Sequence, residues 1–415
     1  MRILAAALEA VDPFKAVQKY LPPLEGRVFG LGIGKAALPM MEALAERVLL
    51  SGGLAVTKFA SDPSTSLRTS RESYTVMEGG HPIPDARSLR AGERALEFVS
   101  ALKEDDTLVC LISGGGSALV TAPYVPLEDL QALTSMLLSS GARIDEINTL
   151  RRQLDQVKGG GLACATKAKI ISLILSDVIG NPLEAIASGP TAPDPTTKED
   201  AVQILKKYRI DKQVSNSIID ILLRAPSAAL VTRESGGGSI VDKVQNIIIG
   251  DNKLASQAAL KQAQAEGIHA EIMTNELQGE AREVGRDSAH RLRVDSSTRP
   301  RPFCLIAGGE TTVTIRGQGK GGRNQELALS AVNELSGLQN VMLIALGTDG
   351  DDGPTDAAGA VVTGETARRA ESLGLDVVSH LSRNDAYPFF DSLGDLLKTG
   401  PTGTNVNDLI FLCAL

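Results

Sequence analysis

Residues 27–50 read RVFGLGIGKAALPMMEALAERVLL, and the fold turns on them. The short apolar run Val28 to Ile33 is threaded with Gly30 and Gly32 and ends at Gly34. A stretch with helical spacing begins at Lys35. An apolar run, a glycine-rich turn and a helix, in that order, open a strand–helix unit. The pattern returns along the chain. TLVCLISGGG (107–116) follows the charged helical stretch AGERALEFVSALKEDD (91–106). KIISLILSD (169–177) ends at Asp177, and NIIIGDN (246–252) leads into KLASQAALKQAQAEG (253–267). FCLIAGGE (303–310), TVTIRG (312–317), VMLIALGTDG (341–350) and DLIFLCAL (408–415) continue it. Continuous apolar runs are expected of parallel strands buried on both faces. The expectation is an α/β fold with a mainly parallel, Rossmann-like sheet.

At 415 residues the chain exceeds what one core sustains, so a second, smaller α/β domain is expected. We place the boundary between residues 1–238 and 239–415, within a window of 236–300. RESGGGSIVDK (233–243) and VDSSTRPRPFC (294–304) are the candidate linkers. Aromatic residues are 3% of the chain and Trp is absent, so Leu, Ile, Val and Ala must build the cores. A net charge of −8 argues against nucleic acid or an anionic membrane as partner, because both select basic surfaces. The N-terminal MRILAAALEAVDPF is interrupted by Glu9 and Asp12 and reads as a helix, not a signal peptide. No run is long enough to span a bilayer, so the expected compartment is the cytoplasm. Cys110, Cys164, Cys304 and Cys413 sit singly, without metal or redox spacing, and read as small buried hydrophobes.

Glycines cluster where the expected strands end, the place where open α/β sheets bind ligands. The first such loop matches G-x-G-x-x-A at Gly32, Gly34 and Ala37, but the acidic residue of a dinucleotide site is replaced by Lys58. Close strand–helix packing would explain these glycines equally well. Lys35, at a helix start, opposes the helix dipole, a cost best tolerated when it meets an anion. Ser113, Gly114, Gly115, Gly116 and Ser117 form a second loop whose backbone N–H groups could converge on phosphate or carboxylate. Arg151, Arg152 and Lys158 lie on an expected helix closed by Gly159 to Gly161, for which a glycine cap and a solvated basic face are the plain alternative. Asp177 ends a strand, where a catalytic carboxylate would be useful. RGQGKGGRNQE (316–326) carries Lys320 and Arg323 among glycines, and a guanidinium suits bidentate anion recognition. GTDGDDGPTDAAG (347–359) gathers Asp349, Asp351, Asp352 and Asp356. These are either solvated turn acids or partners of Mg2+ shared with nucleotide phosphates. Anion-binding loops, cations and an acidic loop together suit phosphoryl transfer.

The motifs GIGKAA, GGHPIPD, LISGGGSAL, NTLRRQLDQVKGGGLA, SDVIGNPLEAIASGPTAPD, GEAREVG, GGRNQELAL, GTDGDDGPTDAAGA and TGPTGTNVNDL, in this order, span the whole chain. By them it resembles the glycerate 2-kinase family, whose members carry a C-terminal MOFRL domain. The resemblance implies a Rossmann-like N-terminal domain, a smaller α/β C-terminal domain and an active site in the cleft between them. It implies ATP and D-glycerate giving 2-phosphoglycerate, with Mg2+. The family's catalytic lysine falls on Lys35 and its arginine on Arg323. With these we group Asp177 as a catalytic carboxylate and Gly32, Gly34 and Ser113 to Ser117 as the nucleotide-phosphate cradle. Arg151 and Asn324 are substrate-binding candidates, Asp349 and Asp351 metal ligands, and a homodimer the expected assembly. A hydroxypyruvate reductase using a nicotinamide cofactor, or a non-catalytic sugar-acid-binding module, is the alternative.

Overall fold

The computed structural model describes residues 1–58, 73–224 and 240–415. The chain forms two compact units, residues 13–249 and residues 1–12 with 250–415. The expected boundary after Gly238 lies outside the described residues, as do Gly236 to Gly238. The chain passes from one unit to the other after Ile249.

In the first unit, β1 (Val28–Ile33), β2 (Leu50–Thr57), β3 (Thr75–Glu78), β4 (Thr107–Ile112), β5 (Lys169–Leu175) and β6 (Val244–Gly250) form one sheet in the order β3-β2-β1-β4-β5-β6. All the pairings from β3 to β5 are parallel. This is the strand order of a Rossmann sheet. Leu31, Ile33, Leu54, Val56, Leu108, Cys110 and Ile112 are buried with Ala91, Ala95 and Val99 of the helix Ala86–Ser100. Gly30 and Gly32 do serve packing: a Cβ there would meet Met41 Sδ at 2.8 Å or Ala37 Cβ at 3.2 Å. A separate apolar cluster, with Leu133, Leu137, Leu150, Leu205 and Ile218, joins the helices Leu127–Ser139, Ile144–Gln153, Lys198–Lys207 and Asn216–Arg224.

The second unit holds β7 (His269–Leu277), β8 (Phe303–Gly309), β9 (Val341–Gly347), β10 (Gly359–Thr363), β11 (Leu396–Leu397) and β12 (Asp408–Ala414), in the order β11-β10-β9-β12-β8-β7. Only β7 and β8 are parallel; the other neighbours run antiparallel. The sheet is therefore mixed. Its central strands are nonetheless buried at every position but Met342, which is half-buried. Burial on both faces removes the polar–apolar alternation whatever the strand direction.

TVTIRG is not a strand. Thr312 makes one bridge to Glu280; the Glu280 carboxylate then takes the Thr314 N–H, and Asn384 Oδ1 takes those of Arg316 and Gly317. Side chains satisfy donors that a neighbouring strand would otherwise have engaged. The cysteines are not all single either. Cys304 and Cys413 stand directly opposite each other on β8 and β12 with their sulfurs 3.3 Å apart. Residues 2–10 form the expected first helix, and it packs on the helix Asn252–Ala265 of the second unit. Among the described residues no helix is long and apolar enough to cross a membrane.

Candidate active site

β1 and β4 are neighbours, but the chain leaves β1 towards β2 and leaves β4 towards β5. The two connections diverge and open a crevice at the carboxyl ends of the strands, where such sheets bind ligands. Lys35 follows β1, and Ser113 to Ser117 follow β4. The two loops are tied together. Ser113 N–H donates to the Ile33 carbonyl at 2.9 Å, Lys35 N–H to the Gly114 carbonyl at 3.0 Å, and Ala36 N–H to Ser113 Oγ at 3.0 Å. Gly34 has φ +129°, and a Cβ on it would lie 2.2 Å from Ser113 Oγ. Glycine is required here for both reasons.

Three further groups converge on this loop. The Asp177 carboxylate, after β5, lies against Gly114, where a Cβ would come within 2.0 Å of its Oδ2. His81 Nε2 and Lys35 Cγ both lie 3.3 Å from the Cβ position of Gly115. Burial, followed by the charges of Lys35 and Lys58, pushes the His81 pKa down to about 4, so the ring is neutral at physiological pH. Lys35 itself is exposed. The hydroxyls of Ser117 and Ser188 share a hydrogen bond of 2.8 Å. Ala187 and Ser188 have φ of 50° and 60°, a strained conformation for residues with a Cβ.

The basic stretch 151–158 divides by function. Arg152 is buried and bonded to Asp194 at 2.8 Å; Lys158 is buried on Asp155 at 2.6 Å. Both are structural. Arg151 has no carboxylate partner among the described residues, and burial lowers its pKa. A half-buried guanidinium left without an acid is a natural seat for a ligand anion. The helix ends at Gln153, so Gly159 to Gly161 do not cap it. Gly159 and Gly160 instead donate their N–H groups to the carbonyls of Ser188 and Gly189.

In the second unit Arg323 opens the helix Arg323–Leu335. Its Nε and Nη2 grip the Asp408 carboxylate at 2.6 and 2.9 Å, and Glu310 lies 3.0 Å from Nη1. Burial works against its charge, but Asp408 and then Glu310 outweigh this and raise its pKa. Asp352 is buried at the start of the same helix and accepts the backbone N–H groups of Asn324 at 3.1 Å and Gln325 at 2.8 Å. Burial pushes its pKa up to about 7, against those hydrogen bonds. Asn324 Oδ1 and Gln325 Oε1 are buried with no hydrogen-bond partner among the described residues. The acidic loop therefore has several jobs. Asp352 is a helix cap, and Asp356 pairs with Tyr387 and Lys398 at the surface. Asp351 is exposed, and its N–H donates to Asp349 Oδ1. Lys320 lies over the Tyr387 ring. Among the described residues no three His, Cys, Asp or Glu side chains gather to hold a metal. Asp349 and Asp351 fit only a metal shared with a ligand's own oxygens.

His81 lies within GGHPIPD, where nothing in the local sequence marks a role for it, and Lys58 stands out in sequence only as the residue in place of an acid. Their meeting with Lys35 depends on β1, β2 and β3 lying side by side. No local feature of the sequence marks that adjacency.

A Rossmann-ordered sheet with a cationic pocket at its switch point defines an α/β enzyme of phosphate chemistry. Residues 1–223 match the family described as a domain of unknown function (DUF4147), and residues 303–408 match the MOFRL family. A D-glycerate 2-kinase of Thermotoga maritima is 43% identical over 99% of this chain and 96% of its own length. A glycerate 2-kinase of Pyrococcus horikoshii is 40% identical over 99% of this chain and 95% of its own. A crystal structure of glycerate kinase from Thermotoga maritima, 42% identical, covers 100% of this chain and 98% of its own with a TM-score of 0.90. The chain belongs to the glycerate kinase family, and it is a phosphotransferase.

Proposed function

We propose that the chain transfers the γ-phosphoryl group of ATP to the 2-hydroxyl of D-glycerate, giving 2-phosphoglycerate and ADP. The observation that carries this reading is the Ser113–Ser117 loop, bonded to the Lys35 loop at the sheet's switch point and flanked by Lys58. Phosphoryl transfer asks mainly for positioning and for neutralisation of phosphate charge. Lys35, a compact exposed cation beside a glycine loop, serves the phosphates. Ser113, fixed through Ala36, shapes the cradle. Arg151 and Arg323 are the guanidinium groups for carboxylate recognition. Arg323 keeps N–H groups at Nη1 and Nη2 beyond those held by Asp408. Asn324, with its buried unpartnered oxygen, is set beside it. Asp177, against Gly114, is the carboxylate of the pocket. Mg2+ enters this reading as a companion of ATP, with Asp349 and Asp351 as its protein oxygens; it would neutralise phosphate charge. The cytoplasm is the compartment and a homodimer the assembly proposed with this activity.

The reductase alternative loses its ground at the end of β2, where Thr57 and Lys58 replace the acid that would hold a nicotinamide nucleotide's ribose. Phosphorus NMR of the product from ATP and D-glycerate checks the assignment. A phosphomonoester resonance coupled to the C2 proton is expected, and none on C2 would overturn the regiochemistry. Excess chelator should abolish turnover; full turnover in its presence would remove Asp349 and Asp351 as ligands.

A further inference from the structure

The transfer needs a group to take the proton of the attacking hydroxyl, and the pocket's cations cannot. Lys35 follows β1 and Lys58 follows β2, and both charges act on His81 at its contact with Gly115; Asp177, after β5, lies against the neighbouring Gly114. On its own segment, Asp85 caps the helix Ala86–Ser100 and pairs with Arg87, which also pairs with Glu78. These acids are engaged away from the ring, and Asp177 already has an interaction of its own. His81 differs: among the described residues neither ring nitrogen makes a hydrogen bond.

The backbone that leads into His81 is held in place. Gly79 is pressed against the Leu119 carbonyl, where a Cβ would lie at 2.2 Å, and Gly80 N–H donates to Ser88 Oγ at 2.8 Å. The turn before His81 is thus clamped to Leu119, just after the phosphate loop, and to Ser88, and the imidazole stands over Gly115.

We propose that His81 is the general base of the reaction, taking the proton from the substrate hydroxyl as that oxygen attacks the γ-phosphorus. This rests on the kinase reading above. The O–H bond breaks towards an imidazole nitrogen, a new O–P bond forms, and the P–O bond to ADP breaks with its electron pair passing to ADP. His81 then returns its proton to solvent. The two lysines do two things to this group. Without ligand they add to burial, the larger cause, in keeping the ring unprotonated well below neutral pH. When a polyanion fills the pocket and neutralises them, the ring's proton affinity rises towards the range in which a base works best.

The test compares His81→Asn and His81→Gln with Asp177→Asn in the intact enzyme. Both His81 variants are expected to keep the wild-type melting temperature and a KM for D-glycerate within about threefold. Their kcat should fall by roughly 10²- to 10³-fold, and the acid limb of the pH–rate profile should disappear. A raised KM with kcat preserved, or an acid limb that survives in both His81 variants and vanishes in Asp177→Asn, overturns the proposal. An independent readout is the NMR titration of the His81 ring with and without saturating inorganic phosphate. Its midpoint should move up from about 4; a midpoint that phosphate leaves in place overturns the proposal without reference to turnover. If wild-type enzyme makes no phosphoglycerate from ATP and D-glycerate, the kinase reading fails instead, and the phosphate titration still reports on His81.

Discussion

At the scale of single residues, the two cations singled out by the sequence sit in different electrostatic settings, and their substitutions should differ accordingly. Lys35 is exposed, so Lys35→Ala should lower kcat by at least about 10²-fold while leaving the melting temperature almost unchanged. A matched loss of stability would make Lys35 structural. Arg323 is gripped by Asp408, which is nearly inaccessible, so Arg323→Ala strands a buried carboxylate and should cost stability as well as rate, roughly 1–3 kcal/mol. Arg323→Lys keeps the charge but loses the fork; most of the stability should return while activity stays low. Equal recovery of both would remove the need for bidentate geometry. Asp352 gives a pH signature. Its folded pKa, raised by burial to about 7 from 3.8, means that the native state holds a proton which the unfolded chain releases. Stability from this group is present below pH 4 and is lost as pH rises towards 7. Asp352→Asn should flatten the fall of melting temperature across that window, and an unchanged slope would assign it to other groups. None of these settings was legible in sequence, because Arg323 and Asp408 are 85 positions apart and only the fold joins them.

At the scale of elements, the strand–glycine–helix pattern of residues 27–50 carried most of the first sheet, because parallel central strands and close packing both leave marks in local sequence. The direction of strands in the second sheet left none: β9, and β12 beyond Asp408, are continuously apolar although all their partners run antiparallel. Capping side chains are similarly silent, and the donors of TVTIRG went to Glu280 and Asn384 instead of to a strand. Likewise the sequence leaves Arg152 and Lys158 open between a functional loop and a solvated face, and neither reading anticipates their buried acids, Asp194 and Asp155. The junction of the Lys35 and Ser113 loops is the element on which the site depends. Gly34→Ala forces a Cβ onto Ser113 Oγ at a φ of +129°. It should destabilise the protein by about 2–4 kcal/mol and lower kcat more than KM changes. Gly34→Ala with Ser113→Gly removes the hydroxyl contact but leaves the position-113 carbonyl 2.5 Å from the new Cβ and the backbone conformation unchanged, so only a small part of the loss should return. Full recovery would show that the hydroxyl contact alone mattered.

At the scale of the whole chain, the sequence order of the units is not their order in space, since residues 1–12 belong with residues 250–415. Local patterning identified the first helix but could not say which core receives it. The helix Arg2–Ala10 buries Leu4 and Ala7 against the helix Asn252–Ala265, and the Thr404 hydroxyl, just ahead of β12, donates to the Val11 carbonyl at 2.7 Å. Burying Leu4 and Val11 fully is worth about 3–5 kcal/mol by area, so this short segment holds a substantial part of the second unit's stability. Ala7→Asp puts an unpaired carboxylate into a site with no solvent access. Hydrogen exchange should then show lost protection in Asn252–Ala265 and in β12, while the helix Ala37–Arg47 and β1 of the first unit exchange as in the wild type. The reverse pattern, or uniform loss throughout the chain, would mean that residues 1–12 stabilise the first unit or the chain as one cooperative body.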